Sequence, residues 1–254
     1  MKLDASKKLN TEELIPCYAT DFHKYLRPTA FMDYAQELAY QGATALGFGY
    51  DVLIKDNMAW VLSRFHIKFQ SPVKWGDYVK LQTWSKGPNG LYFLRDFMLR
   101  DPQGNEAVVA TSSWIVLDLV GRSLVRVDRL GSSFLPEDTT CHDNAIETPA
   151  PKIIMPRGVE PEKVGAHVVN YSDIDCLGHT NNVRYVVWSM DAVGPEITFK
   201  RPCKELFINF NKETHLGESV DIYRHIAQAE DGTISVTVEG RVDGSQSFIC
   251  KLIF

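Results

Sequence analysis

Two stripes of apolar residues at helical spacing divide the chain, and each is followed by runs in which apolar and polar positions alternate. From Thr29 to about Gly47, residues Phe31, Tyr34, Ala35, Leu38, Ala39, Ala43 and Leu46 share one broad face, which predicts an amphipathic helix. Pro28 suits its first turn, and Gly47 and Gly49 end it. The second stripe, Val183, Val186, Val187 and Met190, predicts a helix over Val183–Val193. Alternation predicts strands through Phe65, Ile67 and Phe69, over Val79–Trp84, Leu91–Arg100 and Ala107–Leu117, with a short one over Ser123–Asp128. In the second half the same signal covers His167–Val169, Leu206–Phe210, Glu218–Ile226, Thr233–Val242 and Ser247–Phe254. Leu14–Tyr18 reads as a short strand and residues 1–12 as a polar, lightly docked end. Gly87–Gly90 and Asp101–Gly104 carry turn signals.

The halves superimpose on two anchors. Setting Gly76-Asp77 against Gly217-Glu218 aligns Phe65, Ile67 and Phe69 with Leu206, Ile208 and Phe210, and Val79 and Leu81 with Val220 and Ile222. Setting Phe31 and Tyr34 against Tyr185 and Trp188 aligns Asp21 with Asp175, Tyr25 with His179, Arg27 with Asn181 and Pro28 with Asn182. The expectation is an α+β architecture in which two antiparallel sheets each wrap a long helix, one chain making a pseudo-dimer. Residues 129–162, broken by Pro136, Pro149, Pro151, Pro156 and Pro161, read as a linker over a surface. The domains expected are thus 1–128 and 163–254.

Composition narrows the class. With 254 residues, 44% of them apolar and 23% charged, a well-packed core is expected. A formal charge of −5 argues against nucleic-acid binding through bulk charge. No apolar run reaches the roughly 18–20 residues of a membrane span. Met1–Lys8 has no apolar core of a secretory signal, which leads to a cytoplasmic expectation. Cys17, Cys141, Cys176, Cys203 and Cys250 are scattered without C-x-x-C spacing, which fits reduced thiols rather than a disulfide or zinc framework.

The chemistry concentrates in Tyr171–Tyr185. Asp175, Gly178, His179, Asn181 and Asn182 lie in a polar loop that runs into the second helix. Asn181 or Asn182 can cap that helix, and the unpaired N–H groups of its first turn can hold a negative oxygen. The pattern is present once, because the first copy keeps Asp21 but lacks the histidine and both asparagines. Glu213, four residues before Gly217, has Pro72 as its counterpart.

The pattern D-x-D-x-x-G-H-x-N-N-x-x-Y resembles the signature of hotdog-fold thioesterases. Adding Trp60–Ile67, Trp75–Val79, Leu94–Phe97 and Ala110–Val116, the chain from about residue 12 to 254 resembles the acyl-acyl carrier protein thioesterases of plants and bacteria. That resemblance implies a tandem hotdog fold, with an acyl-binding first domain and a catalytic second one. It implies hydrolysis of a fatty acyl thioester on the phosphopantetheine arm of acyl carrier protein. The family loop reads D-x-N-x-H-x-N-N, followed later by E-C. Asp175, His179, Asn181, Asn182 and Glu213 match. Leu177 stands where the family has asparagine, and Thr214 where plant members have cysteine, which rules out a cysteine nucleophile here.

Thioester hydrolysis requires an activated water or an attacking carboxylate, and donors for the developing oxyanion. Glu213 and His179 are expected to meet at the helix N-terminus, with Glu213 as general base or as nucleophile through a transient anhydride. Asp175 is expected to orient His179, and N–H groups near Asn181 and Asn182 to form the oxyanion hole. Asn182 and Thr214 are candidate substrate contacts, and Phe31, Met32 and Trp60 candidate walls of an acyl tunnel. No metal or organic cofactor is required. Arg184, Lys200, Arg201, Lys204 and Lys212 are candidate docking charges for the acidic carrier, and a homodimer is left open. The alternatives at this point are an acyl-coenzyme A thioesterase, a hotdog dehydratase, and a non-catalytic acyl-binding module.

Overall fold

A computed structural model describes residues 3–130 and 139–254. The chain divides into two compact units, residues 1–150 and 151–254. In the first unit, β1 (Leu9–Leu14) precedes α1 (Pro28–Ala45). A single turn, α2 (Tyr50–Leu53), leads into β2 (Met58–Phe69), β3 (Tyr78–Asn89), β4 (Tyr92–Arg100), β5 (Glu106–Asp118) and the short β6 (Ser123–Val125). The strands pair antiparallel in the order β1-β3-β4-β5-β2, and β6 pairs with the far end of β5.

The apolar stripe decides how α1 sits. Its buried face, including Phe31, Met32, Ala35, Leu38, Ala39 and Ala43, packs toward β3 and β1. Small residues on that face let the helix approach closely. A Cβ at Gly42 would come within 2.5 Å of the Arg95 guanidinium on β4. Beyond the helix end, Phe48, Leu53, Phe93 and Val116 close a second cluster with Trp60 against it.

The second unit repeats the plan. β7 (Glu162–Val168) precedes α3 (Asn182–Val193), and one further turn, α4 (Pro195–Thr198), leads to β8 (Glu205–Phe210), β9 (Ser219–Gln228), β10 (Ile234–Val242) and β11 (Ser245–Ile253). Their antiparallel order is β8-β11-β10-β9-β7. α3 buries Val183, Tyr185, Val186, Trp188, Ala192 and Val193 across β9, β10 and β11. Phe248 lies under this helix with its ring 5.1 Å from Tyr185 and 6.3 Å from Trp188. Gly240 makes that possible, since a Cβ there would meet Phe248 at 2.1 Å.

Local hydrogen bonds coincide between the units, residue for residue as the sequence alignment placed them. Asp21 N–H donates to Tyr25 O (2.8 Å), and Asp175 N–H to His179 O (2.9 Å). Ile15 and Val169 each donate to the residue after the aligned glycine, Asp77 and Glu218. The bridge Thr20↔Leu26 matches Ile174↔Thr180.

Several boundaries differ from expectation. The first strand is Leu9–Leu14 rather than Leu14–Tyr18, because Leu9 packs inward and pairs with Thr83, while Cys17–Ala19 forms a 3-10 turn. β3 runs on through Gly87, where a bulge absorbs the glycine that read as a turn. The stretch read as a linker is shared out. Its residues 131–138 lie outside those described. Cys141 and Ile146 are buried against Trp84, Met98 and Val109 of the first unit, and Ala145 N–H donates to buried Asp96 (2.8 Å). Ile153 N–H donates to Asn209 of the second unit (2.6 Å).

Candidate active site

The second copy of the loop is built around Asp173 and Asp175, which do different jobs. Asp175 closes a tight turn, with Oδ1 accepting from Leu177 N–H (2.9 Å) and its carbonyl from Gly178 N–H (3.1 Å). Gly178 has φ +82, a left-handed value that a side chain would oppose. The turn leads to Thr180, then to Asn181, the N-cap of α3, whose Oδ1 accepts from Val183 N–H (2.9 Å).

Facing this loop is the β8–β9 connection, residues 211–218, and Thr214 joins the two. Thr214 is completely buried. Its carbonyl accepts from Thr180 N–H (3.1 Å) and Thr180 Oγ1 (2.9 Å), its Oγ1 lies 2.7 Å from Thr180 Oγ1 and 3.0 Å from Tyr185 OH, and its N–H donates to Tyr185 OH (3.0 Å). Burial pushes the Tyr185 phenol above its ordinary pKa, so it stays a neutral hydroxyl donor and acceptor. This knot fixes Glu213 and His215 on either side of Thr214.

Across the gap, His179 Nε2 lies 3.4 Å from Glu213 Oε2, with the two side chains 44% and 46% exposed. His215 sits beside them, its ring 5.5 Å from that of His179 and tilted by 63°. An imidazole, a carboxylate and a second imidazole therefore share one solvent-accessible rim.

Behind the loop, Asp173 is the buried hub. Oδ2 takes hydrogen bonds from His167 Nε2 (2.7 Å) and Asn170 N–H (2.8 Å), and Oδ1 one from Arg184 Nε (2.9 Å). Burial alone would raise its pKa. The hydrogen bonds from His167, Asn170 and Arg184 outweigh that and hold the carboxyl below the usual range. The His167 ring also stacks against Trp188 at 4.5 Å.

Sequence-derived candidates fall into three groups. His179 and Glu213 come together. Asp175 does not reach the imidazole, because its carboxylate is committed to the Leu177 N–H, and Asn181 serves as helix cap. Thr214, expected at the substrate, is sealed inside the loop junction. Asn182 opens α3 half-buried, while Phe31 and Met32 are enclosed in the first unit, Phe31 edge-on to Phe69 (6.3 Å). Trp60 packs against Phe48 and Phe93 and donates to Phe48 O (2.9 Å). Of the candidate docking charges, Arg184 is tied to Asp173 and Arg201 donates to Gly232 O. Sequence reading gave no part to His167 and Asp173, which bond each other at 2.7 Å, or to His215, which lies beside His179. Asp173 lay in the motif without a role. His215 had a signal, two residues beyond Glu213.

Antiparallel strands packed on long helices fit a hotdog-type fold. Solved structures agree at the level of fold: an acyl-ACP thioesterase from Bacteroides thetaiotaomicron (TM-score 0.77, 23% identity, 98% of each chain covered) and a 12:0-ACP thioesterase from Umbellularia californica (0.80, 19%, 97% of this chain and 96% of that one). The descriptions "Acyl-ACP thioesterase N-terminal domain" and "Acyl-ACP thioesterase C-terminal domain" match residues 6–129 and 159–249. The chain belongs to the acyl-ACP thioesterase family. It is 25% identical over 228 residues to the chloroplastic oleoyl-acyl carrier protein thioesterase 2 of Arabidopsis thaliana, covering 82% of this chain and 60% of that relative. A Coriandrum sativum oleoyl-acyl carrier protein thioesterase is 23% identical over 230 residues, with the same two coverages. The chain thus spans about 60% of the length of these curated relatives.

Proposed function

We propose that this chain hydrolyses fatty acyl-acyl carrier protein to free fatty acid and holo-carrier protein, working as a tandem hotdog pseudo-dimer with its chemistry in the second copy. The observation that carries the reading is the 3.4 Å approach of His179 Nε2 and Glu213 Oε2, with His179 just before the Asn181 cap of α3 in sequence. Family membership supplies the substrate class. Glu213 takes a proton from water as the water oxygen bonds to the thioester carbonyl. His179 orients the carboxylate. The positive end of the α3 dipole stabilises the growing oxyanion, while the Val183 and Arg184 N–H groups of its first turn are held by Asn181. Collapse breaks the C–S bond. The acyl chain is assigned to the first unit, where the aligned loop has Tyr25 in place of imidazole and Pro72 in place of carboxylate.

Free thiol release from a panel of acyl-carrier substrates tests this. Glu213→Gln and His179→Ala should each lower kcat by about 10²–10⁴-fold, the range for losing a positioned acid or base. Near-parental turnover in either variant overturns the assignment. Equal or faster hydrolysis of the same acyl group on coenzyme A overturns the carrier assignment.

A further inference from the structure

We propose that His215 is the general acid of this site, protonating the sulfur of the departing thiolate. The proposal rests on the thioesterase reading above and deepens it. Glu213 is engaged in taking the proton of the attacking water, and His179 is engaged with Glu213. The third titratable side chain on the rim is His215, whose ring meets His179 edge-on at 5.5 Å.

The placement is built, not incidental. On one side of His215, the Thr214 peptide is locked by Thr180 and Tyr185. On the other, Gly217 at φ +86 donates to Val169 O (2.9 Å), and the His215 N–H is held by Glu218 Oε2 (2.9 Å). The backbone under His215 is thus pinned at three points while its imidazole stays exposed. Charged groups around it are Lys212, Glu213 and Glu218 on its own loop, and Asp175 and His179 on the facing one, Asp175 being turned to the Leu177 N–H.

The step balances. The water oxygen forms the new C–O bond and its proton passes to Glu213. The carbonyl re-forms, and the C–S bonding pair leaves on sulfur. Sulfur takes the proton from the His215 imidazolium, giving a free thiol. Solvent exchange then returns one proton to His215 and removes one from Glu213. An alkyl thiol, with a pKa of about 8.5 by analogy with cysteine, gains from this proton near neutrality, whereas a far more acidic aryl thiol leaves unaided.

The experiment compares His215→Gln and His215→Ala with the parent chain. Substrates are one fatty acyl group esterified to N-acetylcysteamine and to thiophenol, and fatty acid release is followed across pH. On the alkyl thioester kcat should fall about 10–100-fold, at the low end of general-acid effects because thiolates leave readily. KM should hold within about twofold, and the alkaline limb of the kcat profile should flatten. On the aryl thioester the loss should stay under about threefold. Equal losses on both thioesters, a change confined to KM, or no loss would overturn the proposal. Glu213→Gln runs alongside. If it is inactive while both His215 variants match the parent, only the general-acid role fails. If it stays active on both thioesters, the underlying reading fails.

Discussion

Replacing Asp173 removes the hub that holds the site loop to α3. The residue is 1% exposed and accepts three hydrogen bonds, from His167 Nε2, Asn170 N–H and Arg184 Nε, all between 2.7 and 2.9 Å. Breaking a fully buried ion pair from one side costs about 3–5 kcal/mol. Here the side chains of Arg184 and His167 are 33% and 32% exposed, so water partly replaces what they lose. The expected cost of Asp173→Ala is therefore at the low end, about 3 kcal/mol. Asp173→Asn keeps the shape and one acceptor oxygen, and about half that loss is expected.

Urea denaturation followed by circular dichroism gives these values. A double-mutant cycle with Arg184→Met should show a coupling of about 1–2 kcal/mol, as expected for contacting charged groups. Dependence on pH has a definite sign. The folded carboxyl lies below its unfolded value, so its stabilisation is complete above the ordinary aspartate range, near pH 4. It fades as pH falls through the depressed folded pKa. The stability gap between parent and Asp173→Asn should therefore be flat from about pH 5 to 7 and shrink in stronger acid. A loss under about 1 kcal/mol for Asp173→Ala, or additivity with Arg184→Met within about 0.5 kcal/mol, would refute the hub.

Thr214→Val deletes the hydroxyl shared with Thr180 and Tyr185 but leaves the Thr214 N–H and C=O bonds in place. Differential scanning calorimetry should show a cost of about 1–2 kcal/mol, a fall in Tm of about 2–8 °C. Arg95 is buried beside Gly42, its guanidinium donating to Thr83 Oγ1 (3.2 Å), and burial pulls its pKa down to about 10. Arg95→Met should raise stability at pH 7 by about 1–3 kcal/mol, since a buried cation gives way to an apolar side chain of similar length. Destabilisation by Arg95→Met in urea titrations would contradict this.

The long periodic elements were legible because one physical effect governs them. α1 and α3 bury a stripe, and β4, β5 and β10 carry runs of buried residues, so burial wrote the pattern directly. β1 was misplaced because its sequence is polar. It is held by ladder bonds to β3 and by the inward Leu9 rather than by an apolar stripe. Motif reading found His179 and Glu213, which are 34 positions apart in sequence, by residue type and by the offset from Gly217. It could not separate Asp175, used by a turn, from Asp173, used by a buried network. Both are aspartates in one motif, and only the backbone around them distinguishes the roles. For Thr214 and Phe31, both buried, the alternation pattern does not say whether an inward residue meets substrate or core.

Comparing the two loops separates scaffold from chemistry. In the first copy Asp21 Oδ1 accepts from His23 N–H (2.8 Å) and Tyr25 N–H (3.0 Å), the same kind of turn that Asp175 closes at Leu177. Lys24 there has φ +63 and Gly178 in the second copy φ +82, so the bend persists even with a side chain that disfavours it. The helix entry also persists, Arg27 N–H donating to Ala19 O as Asn181 N–H donates to Asp173 O. The turn therefore forms without an imidazole at the position of His179, and the aspartate that closes it is accounted for by the backbone in both copies. What the second loop adds is His179, Glu213 in place of Pro72, and His215, which cluster on one rim, with Asp173 and Thr214 clamping the backbone beneath them. None of the three rim side chains is required to make the turn, so their convergence in the second unit is the feature that calls for a chemical explanation.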